Sequence, residues 1–203
     1  MTTGTVIAVT GDVGAGKSTV SRLFESLGGF LIDADRVVAE LWLRPEVIAA
    51  AVERWGTDIL DGGRVVHARV AQRVFAGNRR EYDWLTALLH PRVKEEIKRR
   101  LDLLRVDGKW AVVEIPLLFE AGVASWVTVK VFVTASREVR LARCRARGWD
   151  EAEMARRESF FMPSPERMAL SDYVVRNDGD LNELGEAVKR IYNTLEETGG
   201  SNS

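Results

Sequence analysis

At 203 residues and 46% hydrophobic content, the chain is long enough to bury a full core as one unit carrying small inserted subdomains. Its formal charge of -1 at pH 7 excludes a protein whose main business is coating nucleic acid or anionic membrane, although a locally basic segment can still hold an anion. The single cysteine, Cys144, forms no internal disulfide, two distant histidines without a second cysteine argue against zinc, and a reducing cytoplasm fits both.

The opening "MTTGTVIAVTG" has no basic leader, and its short apolar run ends at once in glycine, so it reads as a buried strand from Val6 to Thr10 rather than a signal peptide or membrane span. Val20, Leu23, Phe24 and Leu27 then repeat at i, i+3, i+4 and i+7, which predicts an amphipathic helix stopped by Gly28 and Gly29. "FLID", from Phe30 to Asp33, reads as a second strand. From Val37 to Asp107 no strand is convincing, and "PEVIAAAVERWG", "ARVAQRVFAG" and "HPRVKEEIKRRLDLL" predict a helical insertion. Strands follow at Ala111 to Ile115, Val129 to Thr134 and Asp172 to Arg176, with a second helical insertion from Arg137 to Leu170. The polar "TGGSNS" at the end is expected to fray.

Near-continuous apolar strands alternating with helices define an α/β protein with a mainly parallel five-stranded sheet covered on both faces. The expected organisation is a core of residues 1–36, 108–136 and 171–198, a helical insertion of 37–107 and a second insertion of 137–170.

Gly11, Gly16, Lys17 and Ser18 complete the pattern G-x-x-x-x-G-K-[ST], with Gly14 as a further flexible point. Glycines let successive N–H groups turn inward on phosphate oxygens, and the following helix adds its unpaired N–H groups and positive dipole end. The loop with Val13, Gly14, Ala15 and Gly16 is thus expected to wrap a nucleotide triphosphate, with Lys17 on the β and γ phosphates, Ser18 on magnesium and Thr19 on the α phosphate. The motif follows a predicted strand and opens a predicted helix, which sets it apart from a glycine turn that binds nothing. A GTPase would carry N-K-x-D and D-x-x-G, and neither occurs. Motor ATPases are usually larger, so a kinase for a small acceptor is the leading class.

Asp33 closes the second strand at the edge where open parallel sheets bind ligands. A carboxylate there can face the γ phosphate and accept the proton of an acceptor hydroxyl. Asp35 has an ordinary reading as the cap of a helix starting near Arg36. Glu114 lies in an otherwise apolar strand, where an unpaired charge is costly unless it serves a site; it is the candidate to join Ser18 in the magnesium shell, with a salt bridge to a basic neighbour as the alternative. Leu117, Leu118 and Phe119 follow that strand and can line an acceptor wall or pack in the core. The six tryptophans show no aromatic and basic alternation and read as packing.

"IAVTGDVGAGKSTVSRLFESLGGFLIDADRV", then "LLHP", "VVEIPLLFEAG" and "SDYVVRNDGDL", resemble the dephospho-coenzyme A kinase family over most of the chain. The resemblance implies ATP as donor, magnesium, and phosphorylation of the ribose 3′-hydroxyl of dephospho-coenzyme A in the last step of coenzyme A synthesis. It makes the first insertion the coenzyme A-binding part and the second the lid. Arg143, Arg147 and Arg157 match lid arginines, which can bridge phosphoryl oxygens and close over the site. Arg140, Arg143 and Arg147 share helical spacing, and a solvated helix face is the plain alternative for any one of them. Asn177 matches the loop beside the adenine, with a turn asparagine as its alternative. His90 matches a His-Pro at a helix start, where it contacts the acceptor or caps. Glu120 matches the motif without a derivable role.

Two departures concern the acceptor and lid contacts. Val66 and His67 stand where the family commonly has Asp-Arg, with Arg69 nearby but aimed differently; Phe161 stands in place of a common glutamine. The resulting expectation places Asp33, Lys17, Arg143 and Arg157 in catalysis, Gly11 and Val13 to Thr19 with Arg147 and Asn177 on ATP, His90 and Leu117 to Phe119 with Asp33 on the acceptor, and Ser18 and Glu114 on the metal. Substrates are small molecules, with no nucleic acid, membrane or obligate protein partner indicated. The rivals are another small P-loop kinase for a nucleotide or sugar, and a nucleotide-binding regulator that transfers nothing; Asp33 speaks against the regulator.

Overall fold

Ile7, Ala8 and Val9 are wholly inaccessible to solvent, because they lie in the central strand of a sheet whose two faces are both covered. The structure, a computed structural model, describes residues 4–75, 79–106 and 109–200. Residues 76 and 77 of the predicted helix "ARVAQRVFAG", Asp107 at the expected insertion boundary and residues 201–203 of the tail lie outside the described residues.

The sheet has five parallel strands: β1 (Val6–Gly11), β2 (Phe30–Asp33), β5 (Ala111–Glu114), β6 (Val129–Thr134) and β7 (Tyr173–Arg176), ordered β2-β5-β1-β6-β7. Each lies within a residue or so of its predicted bounds. The strand order reverses at β1, so the loop leaving β1 opens at the switch point of the sheet, where ligands of such folds bind. Helix α1 (Lys17–Ser26) buries Val20 and Phe24 against this sheet, and Gly28 at φ +99 ends the helical path by adopting a conformation a side chain would resist. On the same core, α9 (Leu181–Gly200) contributes Leu184, Val188 and Ile191. This helix runs through Thr198 to Gly200, into the polar segment expected to fray.

The chain divides into two compact units, one comprising residues up to Asp33 and from Arg100 onward, the other Ala34–Arg99. The second unit contains α2 (Ala34–Leu41), α3 (Pro45–Trp55), a short 3₁₀ turn, α4 (His67–Phe75) and most of α5 (Arg79–Val106). Contrary to the expectation of no strand there, Leu60–Asp61 and Arg64–Val65 (β3 and β4) form a tight antiparallel hairpin. Two-residue strands leave no periodicity to read. Nor does a helix begin at Pro91: Pro91 lies inside the 28-residue α5, and the interior placement removes the helix-start setting expected for His90. Asp35 falls in the first turn of α2, which starts at Ala34, instead of capping it.

Within this unit Glu81 accepts two bonds from Arg54 and one from Trp55 Nε1 at 2.7 Å, and buried Glu96 pairs with Arg44 and Arg99. Arg69 donates to the carbonyls of Asp58 and Leu60, which ties it to the hairpin, while His67 stands edge-on to Trp42.

Candidate active site

Residues 11–19 leave β1 and enter α1 as a single loop. At Gly16 the backbone has φ +95, and a Cβ there would stand 2.3 Å from Asn177 Nδ2, so only glycine fits. Lys17 Nζ donates to the carbonyls of Gly11 at 3.2 Å and Asp12 at 3.0 Å, placing its charge across the mouth of the loop. Asn177, 6% exposed, donates to the Ala15 carbonyl at 2.8 Å and accepts from Arg143 Nη2; Arg143 Nη1 also reaches the Ala15 carbonyl at 3.2 Å. Asn177 therefore buttresses the loop instead of merely turning the chain. The Val13 side chain, 8% exposed, packs with Cys144 and Met154 and against Leu141, Trp149 and Phe161, leaving its backbone to serve the loop. Phe161, the departure from the family pattern, belongs to this apolar cluster.

Beside the loop, the Ser18 hydroxyl donates to Glu114 Oε1 at 2.8 Å. Register places Glu114 opposite Val9 on one side and Asp33 on the other, so the two acids share the carboxyl edge of the sheet. Burial pushes the Glu114 carboxyl above the ordinary glutamate range; the Ser18 hydrogen bond and the Lys17 charge oppose that rise, and the Asp33 charge adds to it. Glu114 is thus held by the Ser18 hydroxyl, with the Lys17 charge acting on it as well. A hydroxyl and a carboxylate oxygen at hydrogen-bond distance form a donor set suited to magnesium.

The loop after β5 is anchored by Thr10 Oγ1, which donates to the Pro116 carbonyl at 3.0 Å. Leu118, expected along an acceptor wall, is 2% exposed and packs inside; Leu117 and Phe119 are half-buried. Glu120 acquires a role that its motif did not reveal, accepting from the Met162 N–H at 2.7 Å.

The basic segment folds as α6 (Arg137–Arg145), α7 (Glu151–Glu158) and α8 (Ser164–Ala169). Arg140 donates to the Val13 and Ala135 carbonyls and pairs with Glu158. Arg147 lies in the turn beyond α6, so it does not continue the helical face expected from its spacing. Arg157 pairs with Glu153 at 2.8 Å and stacks over the Trp149 ring at 3.8 Å. His90, in the other unit, is half-buried on α5.

Sequence reasoning missed Asp12 and Arg167, which are 4% and 3% exposed and paired at 2.8 Å. Asp12 was one of the variable positions of the loop pattern. Its acidic character inside a phosphate cradle was the available signal.

A parallel sheet with a G-x-x-x-x-G-K-S loop at its switch point and two acids across the edge defines the chain as a P-loop kinase. It belongs to the dephospho-CoA kinase family, whose model matches residues 5–183. Dephospho-CoA kinases of Carboxydothermus hydrogenoformans and Syntrophotalea carbinolica are 35% and 34% identical to it, with 92% and 94% of this chain and 92% of each relative covered. Among solved structures, a Thermus thermophilus protein superposes with a TM-score of 0.77 at 31% identity, covering 94% of this chain and 97% of that one. A dephospho-CoA kinase of Campylobacter jejuni shares the fold at TM-score 0.71 and 19% identity, covering 96% and 98%. Among the described residues no helix is long and apolar enough to cross a membrane.

Proposed function

We propose that the chain transfers the terminal phosphoryl group of ATP to the ribose 3′-hydroxyl of dephospho-coenzyme A, giving coenzyme A and ADP. The observation that carries this reading is the register of Asp33 beside Glu114 at the sheet edge where the phosphate loop opens. Asp33 orients the acceptor hydroxyl and takes its proton as the oxygen bonds to the γ phosphorus and the bond to the ADP oxygen breaks. Lys17 exchanges the carbonyls of Gly11 and Asp12 for the β and γ phosphates.

Ser18 and Glu114 are the groups that hold magnesium. Among the described residues no cluster of three His, Cys, Asp or Glu side chains stands ready to bind an ion alone, a pattern suited to a cation that keeps waters and phosphate oxygens in its shell. Bound there, the ion supplies neutralisation of the triphosphate charge. Gly11 and residues Val13 to Thr19 wrap the phosphates and Asn177 stands at the adenine side. Arg143, Arg147 and Arg157 receive phosphate charge when the segment 137–170 acts as a lid. The acceptor is taken by Asp33, Leu117 and Phe119 at the edge of the sheet. No nucleic acid, membrane or obligate protein partner enters the reaction, and the cytoplasm, where ATP and thiols are kept, is its setting.

The test is ADP release by purified protein with ATP and magnesium across a panel of dephospho-coenzyme A, adenosine, shikimate and gluconate. Dephospho-coenzyme A alone should accelerate release; equal or greater acceleration by a sugar or nucleoside would overturn the reading.

A further inference from the structure

Asp12 is a buried carboxylate in the first turn of a loop whose task is to hold anions. Its Oδ2 accepts from Thr134 Oγ1 at 2.7 Å, and its Oδ1 accepts from Ser164 Oγ and from Arg167 Nη2, both at 2.8 Å. Arg167 also donates through Nη1 to the Gly11 carbonyl at 3.2 Å and through Nε to the Met162 carbonyl at 2.9 Å. Its guanidinium lies 5.0 Å from the Phe132 ring centroid and 4.9 Å from that of Phe161, both within reach of a cation–π contact. One cation thus ties a carbonyl and a carboxylate of successive loop residues to β6 and α8, across 155 positions of sequence.

Burial alone lowers the Arg167 pKa, with Asp12 and Glu120 as the principal opposing charges. A guanidinium stays protonated in proteins, so the pair is an ion pair. An isolated carboxylate at the Asp12 position would repel an incoming triphosphate, and a Gly11 carbonyl released from its donors would be free to turn toward it.

We propose that Arg167 is a positioning residue for nucleotide binding: it cancels the charge of Asp12 within the phosphate loop and holds the Gly11 carbonyl away from the anion, with Ser164 completing the latch. The role goes beyond the residues that touch ATP, and it rests on the reading that this loop binds ATP.

The test measures ATP–magnesium affinity by calorimetric titration without acceptor, so that a failure of the latch stays distinct from a failure of the dephospho-coenzyme A reading. Arg167→Met should weaken ATP binding about tenfold or more. Adding Asp12→Asn to Arg167→Met should restore affinity to within about threefold of wild type, because the charge left exposed by the first change is removed by the second. A purely structural role for Arg167 would leave the double variant as weak as the single one, and that result overturns the proposal. Should Arg167→Met fail to fold, Asp12→Asn alone decides: removal of a negative charge from the loop should tighten ATP binding about threefold, whereas unchanged or weaker binding contradicts the latch.

Discussion

Glu114 is held by burial above the ordinary glutamate range while its neighbours Ser18 and Lys17 pull the other way. A carboxyl with a raised folded-state pKa contributes stability that is complete below its unfolded value, about 4.3, and is lost as pH rises through the folded value. Without metal, the wild-type protein should therefore lose stability across that window by more than the Glu114→Gln variant, which at neutral pH should melt no lower than wild type while losing transferase activity. Parallel thermal midpoints from pH 4 to pH 8 would show it, and identical pH slopes would contradict it. Function at this position is bought with stability. At the residue scale, the loop motif and Asp33 were readable because spacing alone identifies them. Asp12 and Arg167 were not, since their partnership spans 155 positions and only folding joins them.

The strands of the main sheet were legible as elements because each is an unbroken apolar run bounded by glycine or polar residues, the pattern of a sheet covered on both faces. The β3–β4 hairpin escaped because two residues cannot show alternation. The start of α5 was misplaced because proline ordinarily marks a first turn, whereas here Arg92 donates to the Leu88 carbonyl at 2.7 Å beside it and the helix runs on. Helix α1 depends most on Phe24, fully buried in the core cluster with Val112 and Val188. Phe24→Ala should cost about 3–5 kcal/mol in chemical denaturation. Because α1 presents Lys17 and Ser18 from its first turn, ATP affinity should fall in the same variant; a loss below about 1 kcal/mol would mean the cavity collapses without disturbing the helix.

For the molecule as a whole, the reversal of strand order at β1 brings the phosphate loop, the Asp33 and Glu114 strand ends and the Asn177 loop to one edge of the sheet. Sequence indicated part of this convergence, through Asp33 at the carboxyl end of a parallel strand and through the family resemblance for Asn177. It did not indicate that the basic segment would be tied to the loop by Arg140, Arg143 and Arg167, since arginine spacing says nothing of which carbonyls the side chains will meet. The most direct test is product analysis by mass and phosphorus resonance after incubation with ATP, magnesium and dephospho-coenzyme A, run beside the Asp33→Asn variant. Wild type should form one 3′-phosphorylated acceptor per ADP, and Asp33→Asn should slow that conversion by about 10² to 10⁴ while keeping its affinity for ATP. ADP without phosphorylated acceptor, or full-rate transfer by the Asp33→Asn variant, would contradict the account.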